Sequence, residues 1–149
     1  MKISTKVEFG IIAMIDIAIH SKNNEAVTVY SIAKRQNISA KYLEQILTVL
    51  RQAHLIKGLK GSKGGYIITR SAMNITFKEI INALDVTILS EVDFFEQENS
   101  VIATTVNANL WDKLTDYMQK FAQNLTLADI IEECHKSMEE KSEEIMYYI

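Results

Sequence analysis

Lys57-Gly58-Leu59-Lys60-Gly61-Ser62-Lys63-Gly64-Gly65-Tyr66 holds four of the five glycines of a 149-residue chain that contains no proline. Glycine permits positive φ and close approach of main-chain N–H groups to a ligand, and each lysine adds a point charge on a flexible stem. Leu55-Ile56 before the stretch and Tyr66-Ile67-Ile68 after it are apolar and branched, as two short strands would be, so the glycines read as a hairpin tip. That is the pattern of the wing in a winged helix-turn-helix. A nucleotide P-loop ends in Gly-Lys-Ser/Thr after four spacer residues, and a dinucleotide fingerprint is Gly-x-Gly-x-x-Gly. Neither spacing occurs here. By itself the loop also fits a plain solvated hairpin, so the upstream residues have to decide.

Upstream stand Thr28 to Arg35, then Gln36-Asn37-Ile38, then Ser39 to Gln52. The pattern predicts a short helix, a tight turn and a longer helix. Asn37 suits the left-handed conformation that ends a helix, and Ser39 suits the N-cap of the next. Leu43, Ile46, Leu47 and Leu50 recur at helical spacing and point to the core, which leaves Lys41, Glu44, Gln45 and Thr48 outside. In a helix-turn-helix the first turns of the second helix enter the major groove, where glutamine pairs with adenine and a carboxylate accepts from cytosine. Any solvated amphipathic helix has a polar outer face as well, so this face agrees with the wing without proving DNA contact.

Net charge is −3 and the isoelectric point about 5.6, which as totals argue against a nucleic-acid partner. The distribution reverses that reading. Residues 1–70 hold eleven Lys and Arg against four acids, and residues 71–149 hold five Lys against fifteen acids. A basic front half attracts a polyanion and an acidic rear half repels it.

At this length, with 48% hydrophobic residues, the chain can bury one core plus an extension. No run of about twenty apolar residues is present. The apolar stretch Phe9 to Ile19 is interrupted by Asp16 and lacks a signal-peptide cleavage pattern; it predicts a helix buried between two layers. A single cysteine, Cys134, fits a reducing cytoplasm. Cys134 and His135 are adjacent on a predicted helix and point about 100° apart, so they make a poor metal pair. No nucleophile–base pair or carboxylate dyad stands at useful spacing, so no catalytic residues, metal or cofactor are assigned and an enzyme is not expected.

Behind the wing, Thr76 is placed to cap a helix over Phe77 to Leu84. Leu110, Leu114, Tyr117, Phe121 and Leu125 then recur at steps of four, three, four and four, with Trp111 and Met118 broadening the stripe. Because the winged domain is already a complete fold, Leu110, Leu114, Tyr117 and Phe121 are assigned to a dimer interface. Thr126-Leu-Ala-Asp129 resembles a capping box that opens a last, acidic helix, and the chain ends Met146-Tyr-Tyr-Ile149. The expected fold is mainly α with a small β-wing: a winged helix-turn-helix domain over residues 1–84, then a linker, dimerisation helix and acidic helix and tail over 85–149.

Met1 to Lys6, Tyr42-Leu-Glu-Gln45, Leu50-Arg51, Lys60-Gly61 and Gly64-Gly65-Tyr66 together resemble the Rrf2 family of bacterial transcription regulators, along almost the whole chain. The resemblance implies a cytoplasmic homodimer that binds a pseudo-palindromic DNA operator, acting as a repressor. It implies DNA contacts from Lys2, Ser4, Thr5 and Lys6 at the N-terminus and from Ser39, Lys41, Tyr42, Glu44 and Gln45 on the recognition helix. On the wing it implies contacts from Lys60, Ser62, Lys63 and Gly64, with Lys60 at the minor groove. The sequence departs from the family at three DNA-proximal places: Glu8 stands where an arginine is usual, Lys60 replaces the wing arginine and His54 replaces a glycine. Arginine enters narrow minor grooves more readily than lysine, so the sequence preference is expected to be weaker or different.

Cluster-binding members of the family carry three cysteines in the segment matching Asp85 to Ala103, and this chain has none there, so no iron–sulfur cluster is expected. Within the family the chain is most similar to a cluster-free repressor of cysteine metabolism, at its start, at Leu110-Trp111 and at Met146 to Ile149. That likeness implies O-acetylserine thiol-lyase as a partner protein; Tyr147, Tyr148 and Ile149 are assigned to hold it by capture of the terminal carboxylate, with packing of this tail against the partner subunit as the alternative. Control by a small ligand or by thiol oxidation remains an alternative input, and a protein-interaction module that uses the winged fold without DNA remains an alternative class.

Overall fold

The computed structural model describes residues 2–91 and 100–148. Helix α1 (Thr5–His20) opens at Ser4, whose hydroxyl accepts from the Val7 N–H, and it buries Val7, Ala13, Met14, Asp16 and Ile17. Helix α2 (Val29–Gln36) opens at Thr28, whose side chain accepts from the Ser31 N–H, and ends where Asn37 turns left-handed at φ 54°, ψ 49°. Ile38 is buried at the turn, and Ser39 caps helix α3 (Ala40–Gln52) by accepting from the Tyr42 N–H. The short helix, left-handed asparagine and serine cap all stand where local chemistry places them.

Leu43, Ile46, Leu47 and Leu50 of α3 meet Met14 and Ile17 of α1, Ile32 of α2, and Ile80 and Leu84 of helix α4 (Phe77–Leu84) in one core. Thus α1 does bury most of its circumference. Ile11, Ile15 and Ile19 remain half-buried on its outer side, and Ile12 is exposed.

After α3, His54 adopts φ 59° and turns the chain into strand β1 (Ile56–Leu59), which pairs antiparallel with β2 (Gly65–Ile68) from Ile56↔Ile68 to Leu59↔Gly65. The hairpin is fastened to the helix-turn-helix at its base. Val27 and Tyr66 exchange both backbone hydrogen bonds at 2.8 Å. Gly65 lies at that junction with φ +149°, and a Cβ there would stand 2.6 Å from the Val27 carbonyl oxygen; Gly61, at φ +108°, makes the turn at the tip. The wing glycines therefore serve the hairpin's own geometry before any ligand. Gly65→Ala is expected to destabilise the fold by about 1–3 kcal/mol through strain and collision, measured as a lower midpoint in denaturant. An unchanged midpoint would show that Val27 yields freely.

Arg70 leaves the wing to pair with Glu79, which also closes the capping box with Thr76 at the start of α4. Helices α5 (Val101–Val106) and α6 (Asp112–Asn124) join through one wide π turn, Asn107–Trp111, into a continuous rod. The Thr126–Asp129 capping box is present and opens α7 (Leu127–Tyr147). Backbone bonds from Phe77 N–H to Leu125 O (2.9 Å) and from Leu127 N–H to Ile75 O (2.8 Å) tie these rear helices to the front, and Leu127 is fully buried. Among the described residues no helix is long and apolar enough to cross a membrane.

Candidate nucleic-acid interface

The cap that starts α3 also sets what its exposed face can reach. With Leu43, Ile46, Leu47 and Leu50 turned inward, Lys41, Glu44 and Gln45 are left exposed along one side of the first two turns. Ser39 is exposed too, but its hydroxyl already accepts from Tyr42, and Thr48 donates its hydroxyl to the Glu44 carbonyl at 2.8 Å. Lys41, Glu44 and Gln45 retain side-chain groups able to read base edges. Tyr42 is half-buried and meets Phe9 of α1 edge-on, ring centroids 5.9 Å apart, so most of its ring braces α3 against α1.

Lys2, Ser4, Thr5 and Lys6 are exposed at the start of α1, and Lys60, Ser62 and Lys63 are exposed at the wing tip, with Gly64 half-buried. Lys2, Lys41, Lys60 and Lys63 form no ion pair among the described residues, whereas Lys120 and Lys136 in the rear half pair with Asp116 and with Glu132 and Glu133. The front cations are thus available to phosphate, and two of the rear ones are partly neutralised. Tyr30, on the first turn of α2, is 72% exposed and lies outside the residues expected from sequence; nothing in its spacing marked it.

Asp16 is the second feature that sequence reading did not place. Its side chain is sealed from solvent, and three donors converge on it: Arg35 Nε at 3.0 Å, Arg35 Nη2 at 2.7 Å and Gln36 Nε2 at 2.8 Å. Burial pushes the Asp16 carboxyl up, but the hydrogen bonds from Arg35 and Gln36, with the charges of Arg35 and His20, outweigh it and hold the group below its usual value. A charge interrupting an apolar helix was the available signal, because a buried carboxylate needs a partner.

The residues assigned to dimerisation lie on the rod. Leu110 and Leu114 are about half exposed, and Tyr117 and Phe121 are 73% and 70% exposed. Ile102 and Val106 extend the same run of exposed apolar side chains toward the start of α5. Beside Tyr117 and Phe121 opens an apolar cavity of about 410 Å³, walled by Val7 and Ile11 of α1 and by Ile81 and Leu89. Trp111 and Met118 do not widen the exposed stripe; both are half-buried, on the side of the rod that carries buried Thr115 and Ala122. Cys134 and His135 are half-buried on α7. Tyr147 and Tyr148 are exposed at the end of α7, and Ile149 lies outside the described residues.

Comparison with known proteins agrees with this arrangement. The profile of the family described as Rrf2, iron-dependent transcriptional regulator, matches residues 3–133. The transcriptional regulator IscR of Cereibacter sphaeroides is 34% identical over 135 residues, covering 88% of this chain and 87% of the relative. The regulator CymR of Bacillus subtilis is 36% identical over 131 residues, covering 87% and 89%. The solved structure of CymR, the global cysteine regulator of B. subtilis, superposes with a TM-score of 0.77 at 32% identity, over 89% of this chain and 98% of that one. IscR of T. potens gives 0.72 at 34% identity, over 92% and 90%. The winged fold and these relatives converge: the chain belongs to the Rrf2 family of helix-turn-helix, DNA-binding transcription regulators, which are not enzymes.

Proposed function

We propose that the protein is a homodimeric repressor that reads a pseudo-palindromic operator with α3 and the wing, without an iron–sulfur cluster, and that it controls genes of cysteine metabolism. The carrying observation is the exposed set Lys41, Glu44 and Gln45 on α3, together with Lys2 before α1 and Lys60 and Lys63 at the wing tip, which are exposed and form no ion pair among the described residues. Gln45 and Glu44 reach base edges; Lys41, the N-terminal residues Lys2 to Lys6 and the wing tip hold phosphates, with Lys60 at the minor groove. The cluster-free reading is supported by a single cysteine, Cys134, far along the chain from Asp85 to Ala103. The cysteine-metabolism reading draws on likeness to the CymR proteins and on the exposed Met146, Tyr147 and Tyr148, which would offer an apolar surface to O-acetylserine thiol-lyase.

The test is binding to the DNA flanking its own gene across a salt series. Lys60→Ala should weaken binding to every sequence and reduce the salt slope by about one, while Gln45→Ala should cost about 1–3 kcal/mol on the footprinted site alone. Two variants with wild-type isotherms would refute the assignment of these residues. A peptide ending Met146-Tyr-Tyr-Ile149 should bind the thiol-lyase and compete with its substrate; no heat and no competition at millimolar peptide would leave the tail structural.

A further inference from the structure

Apolar packing holds the helix-turn-helix unit against α1, through Ile32, Ile38 and Leu43 on one side and Met14 and Ile17 on the other. Such packing is strong but non-directional, and it lacks the angular constraint that a hydrogen bond imposes. Recognition of base edges does not tolerate small displacements, because bidentate hydrogen bonds weaken steeply with angle and distance. A directional contact at the end of α2 therefore adds an angular constraint on the departure of α3 to the one that its own core packing provides. The polar contact between α1 and α2 that is sealed from water is the one at Asp16.

Its geometry fits that role. Both donor residues, Arg35 and Gln36, are the last two of α2, and they immediately precede Asn37, the left-handed residue from which the turn to Ser39 and α3 departs. Arg35 approaches as a fork, Nε to one carboxylate oxygen and Nη2 to the other, which constrains rotation as well as distance. Gln36 Nε2 adds a third bond to Oδ2, from the adjacent residue. At the other end the carboxylate stands on the next-to-last turn of α1, where His20 Nδ1 bonds the Asp16 carbonyl at 2.9 Å. One buried group thus clamps the pivot of the helix-turn-helix to the helix that carries Lys2 to Lys6 at its start.

We propose that Asp16 is a positioning residue for DNA recognition: by clamping Arg35 and Gln36 at the pivot of the helix-turn-helix, it sets the orientation of α3 and hence the preference for the operator over random DNA. This rests on the assignment of α3 as the reading helix. It differs from a purely structural ion pair in one measurable respect. Loss of fold lowers affinity for all DNA alike, whereas loss of orientation lowers only base readout, since phosphate contacts tolerate displacement.

The test uses the full-length chain, with operator and random duplexes titrated in the same buffer well below the melting temperature. The charge-neutral double variant Asp16→Leu with Arg35→Met replaces the pair by apolar groups, an exchange that ion pairs of this kind often tolerate without loss of stability. Arg35→Lys keeps the charge but presents no fork. Each is expected to keep its helical circular dichroism and to bind random DNA within about twofold of wild type, with a wild-type salt slope, while operator preference falls about tenfold or more. Should the double variant unfold, Arg35→Lys carries the same comparison. Undiminished preference, or parallel loss on both duplexes, would overturn the proposal. A wild-type chain with no preference would overturn the reading of α3 and the clamp together, and that outcome is visible before any variant is made.

Discussion

Leu114→Glu and Phe121→Glu are expected to convert the protein to monomers that no longer protect a palindromic site. Both residues sit in the exposed apolar run from Ile102 to Phe121, and Phe121 also borders the apolar cavity beside α1. Covering a leucine or phenylalanine is worth about 1.5–3 kcal/mol, and a two-fold interface counts each substitution twice. A buried, unpaired glutamate adds a desolvation cost of its own. Together these exceed about 4 kcal/mol, or roughly a thousandfold in the dimer constant. Half-sites bound by separate monomers then lose the effective concentration of the tether, on the order of 10²–10⁴ in operator affinity. Sedimentation at several concentrations reads the first effect and footprinting the second. If both variants sediment as wild-type dimers, the stripe is not the interface.

Asp16→Ala should be the most destabilising single change among the polar residues, lowering stability by about 2–3 kcal/mol and the melting midpoint by about 5–10 °C. The figure is placed below the ~3–5 kcal/mol typical of breaking fully buried pairs because Arg35 is 35% exposed and water can solvate it once the carboxylate is gone. The pH dependence follows from the direction of the shift. The Asp16 carboxyl lies lower in the folded state than in the unfolded chain, so the unfolded state binds the proton more readily. Its contribution is complete above the unfolded value of about 3.9 and is lost as pH falls below that through the folded value. Wild type and Asp16→Ala should therefore converge as the pH falls below about 4. A difference that persisted undiminished well below that pH would contradict the assignment.

Much of the front half was legible because its signals are local. Asn37 in the left-handed region, Ser39 and Thr76 as caps and the Thr126–Asp129 box each concern groups within four residues of one another, so composition and spacing suffice. The glycine cluster announced a hairpin for the same reason, although the demand on Gly65 comes from Val27, nearly forty residues away in sequence. The exposed stripe was legible only from Leu110 onward. Steps of four over-rotate an α-helix by about 40° each, so the run Ile102, Val106, Leu110, Leu114 would drift by about 120° in a regular helix. The extra residue of the π turn at Asn107–Trp111 takes back about 100°, and that turn has no sequence rule.

What the sequence by itself determined is therefore the order and type of the elements, the sign of charge on each half, and the polar face of α3, since all of these follow from periodicity and short-range capping. What only the tertiary structure decided is which of those polar groups is free. It turned Tyr42 against Phe9 and buried Asp16 beneath Arg35 and Gln36. Such pairings join residues about twenty to thirty positions apart. They arise because a packed core leaves a charge no water to turn to, so its partner is chosen by the fold rather than by its neighbours in the chain.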